Sequence, residues 1–185
     1  MKNKILITGG AGFIGSYLIK QIRNKSNITI IDKKKNKKLI NKFKKLGISY
    51  IQGNLENKKI SEKIYKDKKL IYHLAGTVKV PSTDINLDLI KEKKIYNEAI
   101  NILKNLIKYS DKKVKIIFPS THLIFENCKK NKKIFYENSK ALPNLAYSRS
   151  KLKCEEMLIN SGLKYNILRL GSVYGYSKNE KRMFN

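Results

Sequence analysis

Short apolar runs alternate with longer amphipathic stretches along nearly all of this 185-residue chain. Lys4-Ile5-Leu6-Ile7-Thr8 is a brief run rich in β-branched residues, which predicts a strand buried on both faces. Phe13, Ile14, Tyr17, Leu18 and Ile22 then recur at helical spacing. Asn27-Ile28-Thr29-Ile30-Ile31-Asp32 predicts a second strand, and Leu39, Ile40, Phe43 and Leu46 a helix that stops at Gly47. Ile48-Ser49-Tyr50-Ile51 predicts a third strand. A short polar helix carrying Ile60 and Ile64 leads to a fourth strand over residues 70–76, followed by a loop with Pro81. A long helix is expected over 84–109, where Ile95, Ala99, Ile102, Leu103 and Leu106 form one stripe. Val114-Lys115-Ile116-Ile117-Phe118 predicts a fifth strand. A lysine-rich loop over residues 126–145, a helix over 146–161 and a sixth strand over 165–170 complete the pattern.

Strands that alternate with helices require right-handed crossovers and a parallel sheet covered on both faces. The expectation is an α/β, doubly wound parallel sheet of the Rossmann type, with about six strands, filling residues 1–175.

Within this regular pattern, residues 7–18 read ITGGAGFIGSYL, with four glycines among eight residues between the first strand and the first helix. Glycine inside such elements costs roughly 0.5–1 kcal/mol relative to alanine, so the cluster implies a close approach to the backbone. Gly10, Gly12 and Gly15 satisfy G-x-G-x-x-G, and Gly9, Gly12 and Gly15 the overlapping G-x-x-G-x-x-G. Either register gives a tight turn and an open helix N-terminus that suits a pyrophosphate. Ser16 stands where a P-loop needs its lysine. Asp32 ends the second strand at about the roughly 20-residue offset where a carboxylate binds the adenosine ribose hydroxyls. That carboxylate repels a 2′-phosphate and favours NAD over NADP, although Lys33, Lys34 and Lys35 follow at once and could accommodate one.

Composition narrows the remaining classes. A formal charge of +27 invites a nucleic-acid reading. The basic residues are mostly lysines spread over nearly every loop and helix face, however, and they accompany many Asn and Ile residues, a pattern that biased base composition explains. Lysine also lacks the forked donors that base and phosphate recognition prefers. No specific nucleic-acid partner is expected. Cys128 and Cys154 are too few and too isolated for a disulfide framework or a zinc site, and both are expected to be free thiols, with no bound metal. No stretch approaches the roughly 20 apolar residues of a membrane span, and the N-terminus enters a strand at once. A cytoplasmic protein without a signal peptide or membrane partner is the expectation.

In the stretch AYSRSKLKCEE, Tyr147 and Lys151 lie four residues apart and share one face of a helix. A nearby ammonium stabilises a phenolate, and this would make Tyr147 a usable acid/base at neutral pH. His73, inside an apolar strand, reads as a satisfied core residue, and His122 as a loop histidine with a structural hydrogen bond.

Together these stretches resemble an extended short-chain dehydrogenase/reductase, of the NAD-dependent epimerase/dehydratase family that acts on nucleotide sugars. The matching residues are Thr8-Gly9-Gly10-Ala11-Gly12-Phe13-Ile14-Gly15, Asp32, His73-Leu74-Ala75-Gly76, Ser120-Thr121 after the fifth strand, Tyr147-Ser148-Arg149-Ser150-Lys151, and Leu168-Arg169-Leu170 leading to Val173-Tyr174-Gly175. The resemblance implies that Tyr147 exchanges a proton with a sugar hydroxyl or ketone while a hydride passes to or from the nicotinamide. It implies that Lys151 holds the nicotinamide ribose and depresses the Tyr147 pKa, and that Thr121 hydrogen-bonds the reacting oxygen. Gly9, Gly12, Phe13, Ile14, Gly15, Asp32, Asn54, Leu55, Leu74, Ala75 and Gly76 are the implied cofactor contacts, together with Tyr147 and Lys151. Asn54 departs from the Asp usual near the adenine, which predicts one altered contact.

The resemblance also orders the possible reactions. The 4,6-dehydratases carry an Asp-Glu pair directly after the catalytic Thr, and His122-Leu123 stands there in this chain, so dehydration is disfavoured. Epimerisation comes first and ketosugar reduction second, since residues 120–126 are similar to those of the deoxysugar reductases. Relatives pair across a homodimer through the helices expected near 84–109 and 146–161. They also carry a C-terminal substrate region of about a hundred or more residues, of which residues 176–185 read as a stub. A non-catalytic or truncated NAD-binding protein is the alternative from a different class.

Overall fold

The structure is a computed structural model that describes residues 4–23, 27–34, 37–77, 85–128 and 134–175, residues 85–88 by their backbone alone. Its elements run β1 (Lys4–Thr8), α1 (Phe13–Ile22), β2 (Asn27–Asp32), α2 (Lys37–Lys45), β3 (Ser49–Gln52), α3 (Lys58–Tyr65), β4 (Leu70–His73), α4 (Ile85–Tyr109), β5 (Lys115–Thr121), a 3-10 turn (His122–Phe125), α5 (Ala146–Ile159) and β6 (Lys164–Leu170). The expected Pro81 loop lies outside the described residues, as do part of the lysine-rich loop and residues 176–185.

The six strands form one parallel sheet in the order β3-β2-β1-β4-β5-β6. The chain starts in the middle of the sheet, winds out to β3, then returns past β1 to build the other half. Crossovers on either side of β1 therefore leave toward opposite faces, and a crevice opens at the carboxyl ends of β1 and β4. On one face, Ile5, Ile7, Ile28 and Ile30 pack with Ile19 of α1 and Phe43 of α2. On the other, Leu6, Ile71, Ile116 and Phe118 pack with Tyr65 of α3, Leu103 and Leu106 of α4 and Leu158 of α5. The continuous apolar runs of β1 and β2 are explained by this double covering: successive residues point to opposite layers and both layers are dry.

Two boundaries differ from expectation in ways that matter for the site. β4 ends at His73, and residues 74–77 continue without strand pairing. β5 runs on through Pro119 to Thr121, so Ser120 and Thr121 belong to the strand instead of following it. Proline is tolerated because β5 pairs with β4 only as far as Ile117 and from there has a single neighbour, β6. The extra length carries Thr121 past the end of β4 into the crevice.

Candidate functional site

The turn from β1 into α1 is built by glycines with different tasks. Gly9 has φ of 66°, and a β-carbon there would stand 2.8 Å from the backbone of Ala75. Only glycine satisfies both the left-handed backbone and the contact with the segment after β4. A β-carbon on Gly15 would meet the Gly10 Cα at 2.6 Å, so α1 packs onto its own entry turn. At Gly12 a β-carbon would meet only the Gly9 carbonyl, at 3.1 Å. Gly12 is the N-cap of α1, with no side-chain cap bond and no acidic residue in the first turn. The opening N–H groups at Phe13, Ile14 and Gly15 thus meet the crevice with the positive end of the helix dipole unneutralised by a side chain, and an anionic pyrophosphate fits there.

Asp32 stands beside this turn at the end of β2. Its Oδ2 accepts from the Ala11 N–H at 3.1 Å and its Oδ1 from the Lys34 N–H at 3.0 Å. Each oxygen keeps acceptor capacity, which suits the paired hydroxyls of a ribose. Lys33, next in the chain, is turned to carboxylates: its Nζ lies 2.5 Å from Glu98 and 3.8 Å from Glu56. Asn54 uses its amide locally, accepting from the Glu56 N–H at 3.0 Å. The Leu55 side chain is in the core, and its carbonyl accepts from Ser61 and Asn105 at 2.6 and 2.8 Å. Of the implied adenosine contacts, Leu55 therefore offers the crevice no side chain.

The segment after β4 closes the other side. Leu74 and Ala75 are half-buried and Gly76 is exposed. Thr8 ties this segment down: its Oγ1 accepts from the Ala75 N–H at 3.1 Å and lies 3.1 Å from His73 Nδ1. His73 is buried and stacked on Phe118, with ring centres 6.0 Å apart. Burial, aided by the Lys151 charge, lowers its pKa to about 3, so the ring is neutral. It is the satisfied core residue expected from its strand position. His122 likewise has its hydrogen bond, with Nδ1 3.2 Å from the Leu170 carbonyl.

Thr121 is buried at the end of β5, where its Oγ1 accepts from the Leu123 N–H at 3.2 Å and caps the 3-10 turn. Its hydroxyl proton stays available for a reacting oxygen. Tyr147 lies in the first turn of α5 and is half-buried. Lys151, one turn on, donates from Nζ to the Pro119 carbonyl at 2.7 Å and lies 4.6 Å from the centre of the Phe118 ring and 5.9 Å from that of Tyr147. One expectation is corrected here: burial raises the Tyr147 phenol above its ordinary value instead of Lys151 lowering it. Burial also lowers Lys151, to about 8, against the pull of Cys154 and Glu155. The ammonium is spent on a strand carbonyl, so its stabilisation of a phenolate is not expressed in this arrangement.

Two features escaped the sequence reading. Glu126, just after the 3-10 turn, bonds the start of α5 at Asn144, Leu145 and Ser148. Arg169 of β6 forks onto the buried Glu155 carboxylate, with its closest contact at 2.8 Å, and also donates to the Glu137 carbonyl at 2.6 Å. Both bound a cavity of about 530 Å³ between His122, Phe125, Tyr136 and Glu137. The only local sequence signal for either was the helical Glu155 preceding a strand arginine. Among the described residues no cluster suited to a metal ion is found, Cys128 and Cys154 are free thiols, and no helix is long and apolar enough to cross a membrane.

Comparison with known proteins meets this geometry from another direction. Residues 5–185 match the NAD dependent epimerase/dehydratase family. A protein of Methanocaldococcus jannaschii assigned as a UDP-glucose 4-epimerase is 32% identical over 96% of this chain and 58% of its own length. The dTDP-4-dehydro-6-deoxyglucose reductase of Escherichia coli is 30% identical over 94% of this chain and 57% of its own. The UDP-glucose 4-epimerase of Thermotoga maritima, solved with UDP-glucose, superposes with a TM-score of 0.71 at 26% identity, covering 93% of this chain and 56% of that one. The chain thus spans a little over half the length of these relatives. A Rossmann sheet with a glycine-capped, acid-flanked anion cradle and a matching family sequence lead to one conclusion: the chain belongs to the NAD dependent epimerase/dehydratase family, and its cofactor is NAD.

Proposed function

We propose that the chain forms the cofactor-binding and proton-transferring part of an enzyme that epimerises a nucleotide sugar through a transient ketone, with Tyr147 as the acid/base. The observation that carries this reading is the Lys151–Pro119 bond, which fixes the Tyr147 face of α5 against the end of the strand that presents Thr121. NAD, when bound by the turn into α1 and Asp32, would supply the hydride acceptor and donor. When a sugar hydroxyl is oxidised, its carbon gives up a hydride and its oxygen a proton, which Tyr147 receives. On return of the hydride to the ketone carbon, the Tyr147 phenol gives the proton back. Burial raises this phenol, so the phenolate that accepts the proton in the oxidative step is its minor form at neutral pH, and the phenol that donates in the reductive step its major one. Thr121 donates to the same oxygen and orients it. Asp32 holds the adenosine ribose and the opening turn of α1 the pyrophosphate.

A second reading, reduction of a nucleotide ketosugar, is favoured by the same protonated phenol and by the identity to the Escherichia coli reductase. We place the protein in the cytoplasm as a homodimer across α4 and α5. These helices pack together here and leave Leu89, Ile90 and Ile159 exposed. A panel of UDP- and dTDP-hexoses and ketosugars, followed by nicotinamide absorbance and product analysis, separates the readings. Epimer formation supports the first, and net NADH oxidation with a ketosugar supports the second. If Tyr147→Phe is indistinguishable from the wild-type protein, both fall and a non-catalytic NAD-binding protein remains.

A further inference from the structure

α5 begins without a cap of its own: Leu145 at the N-cap offers no side-chain acceptor and the first turn holds no acidic residue. The N–H groups at such a start need acceptors, and the dipole there favours an anion. Glu126 supplies the anion from outside the helix, together with an acceptor for the N-cap N–H and the one before it. Its Oε1 accepts from the Asn144 N–H at 2.5 Å, from the Leu145 N–H at 2.8 Å, and from the Ser148 hydroxyl. Burial pushes this carboxyl up, but the bonds from Ser148, Leu145 and Asn144 and the charge of Arg149 outweigh it and hold it below its ordinary value.

The same residue is rigidly connected to the end of β5. Thr121 Oγ1 caps the 3-10 turn at Leu123, and the Leu123 carbonyl accepts from the Glu126 N–H at 3.2 Å. A continuous hydrogen-bonded frame therefore runs from Thr121 through the turn to Glu126 and on to the helix start. The Lys151 bond to Pro119 makes a second tie between α5 and β5, about one turn further along the helix. Tyr147 sits between the two ties. With both intact, the helix can neither swing away from the strand nor slide along it. Without Glu126, the first turn is left between the Lys151 bond on one side and the Leu142–Ile124 backbone bond, three residues before the N-cap, on the other, and it can pivot.

We infer that Glu126 is a positioning residue: its carboxylate anchors the first turn of α5 to the turn after β5 and thereby sets the placement of Tyr147 and Lys151 against Thr121. This inference rests on the proposed acid/base role of Tyr147 for its consequence in turnover, but not for the geometry. Lys151 reports the placement independently, because its amine is pressed between Phe118 and the Pro119 carbonyl of β5, near His73 of β4 and near Tyr147, Cys154 and Glu155 of its own helix.

The test uses the full chain as wild type, Glu126→Ala, Glu126→Gln and Ser148→Ala. The acylation rate of Lys151, resolved by mass spectrometry, is followed against pH, alongside NAD titration and turnover on the nucleotide-sugar panel. In wild type the Lys151 midpoint falls near 8. Glu126→Ala is expected to move it upward by about one pH unit as the amine gains water, and to cut kcat about tenfold or more. Glu126→Gln, which keeps an accepting oxygen, retains a midpoint near wild type, and Ser148→Ala moves it part of the way. Should Glu126→Ala lower thermal stability while leaving the Lys151 midpoint and NAD affinity unchanged, the residue is only a cap and the inference fails. Should Glu126→Ala not fold, an unmoved midpoint in Ser148→Ala overturns it in the same way. If no protein turns over, wild type included, yet the midpoint moves in Glu126→Ala and not in Glu126→Gln, the proposed activity fails and the positioning role stands.

Discussion

The Lys151 ammonium donates to the carbonyl of Pro119, thirty-two residues away in sequence and 2.7 Å away in space. It joins the helix that carries Tyr147 to the strand that carries Thr121. The arrangement fixes geometry at the expense of an incompletely solvated charge, and this has a measurable sign. The folded-state pKa of Lys151, about 8, lies below the ordinary 10.5. Below pH 8 both folded and unfolded chains carry the proton, and the burial cost is felt in full. Between pH 8 and 10.5 the unfolded chain binds more protons, so wild-type stability rises with pH. Lys151→Met is therefore expected to be more stable than wild type at pH 7, by on the order of 2 kcal/mol, with the gain shrinking as pH rises. Thermal melts at pH 7 and 9.5 check this, and the same variant should lose NAD affinity.

The glycines of the first turn should separate by role. Gly9→Ala forces a β-carbon to 2.8 Å from the Ala75 backbone at a φ of 66°, and Gly15→Ala forces one to 2.6 Å from the Gly10 Cα. Neither neighbour is a flexible side-chain tip, so each substitution is expected to cost roughly 2 kcal/mol or more in denaturant unfolding. Gly12→Ala meets only the Gly9 carbonyl at 3.1 Å and keeps an ordinary φ of −77°. It should unfold near the wild-type midpoint. Because Gly12 is the N-cap of α1, where the pyrophosphate is proposed to sit, calorimetric titration should show NAD affinity falling tenfold or more, about 1.4 kcal/mol.

Much of this fold is legible because it is local. The apolar runs of β1 and β2 match their observed bounds, and α1 begins and ends where its stripe does. The glycine turn and Asp32 are close in sequence to the elements they serve. What stays hidden is whatever depends on distant partners. Pro119 reads as a stop, and only the loss of pairing with β4 beyond Ile117 shows why the strand continues through it. Glu126 reads as one charge in a lysine-rich loop, because the groups it bonds lie eighteen to twenty-two residues downstream. The pairing of Tyr147 with Lys151 is visible as helical spacing. That the ammonium turns to a strand carbonyl instead is decided by packing of α5 on β5, which periodicity does not encode.

His73 gives a prediction in acid. Its folded-state pKa of about 3 lies below the ordinary 6.5, so between those values the unfolded chain binds the extra proton. The stability contributed by the neutral ring is fully present above pH 6.5 and is lost progressively as pH falls toward 3. From pH 7 to pH 5 this loss amounts to about 2 kcal/mol. His73→Leu forfeits the contact with Thr8 and the stacking on Phe118, and is expected to be less stable than wild type at pH 7. Its stability should nevertheless decline less between pH 7 and 5. Urea titrations of both proteins at the two pH values decide the point.

Selectivity between NAD and NADP turns on Asp32 and on the lysine that follows it. A 2′-phosphate brought to the ribose would face the Asp32 carboxylate, and the nearest cation in sequence is already engaged: Lys33 Nζ lies 2.5 Å from Glu98, whose side chain is only 12% exposed. Glu98 also accepts a long bond from the Thr77 hydroxyl, at 3.4 Å. NADP is accordingly expected to bind at least tenfold more weakly than NAD, about 1.4 kcal/mol. Two substitutions should narrow that ratio from different sides. Asp32→Ser removes the repulsion and weakens NAD, because the ribose loses its acceptor. Glu98→Gln releases Lys33 to a phosphate and leaves NAD affinity within about twofold, because a partly exposed ion pair contributes at most about 1 kcal/mol. Calorimetric titration of each variant with both cofactors measures the ratio directly. An unchanged NADP affinity in Glu98→Gln would show that Lys33 does not reach the 2′ position, leaving discrimination to Asp32 alone.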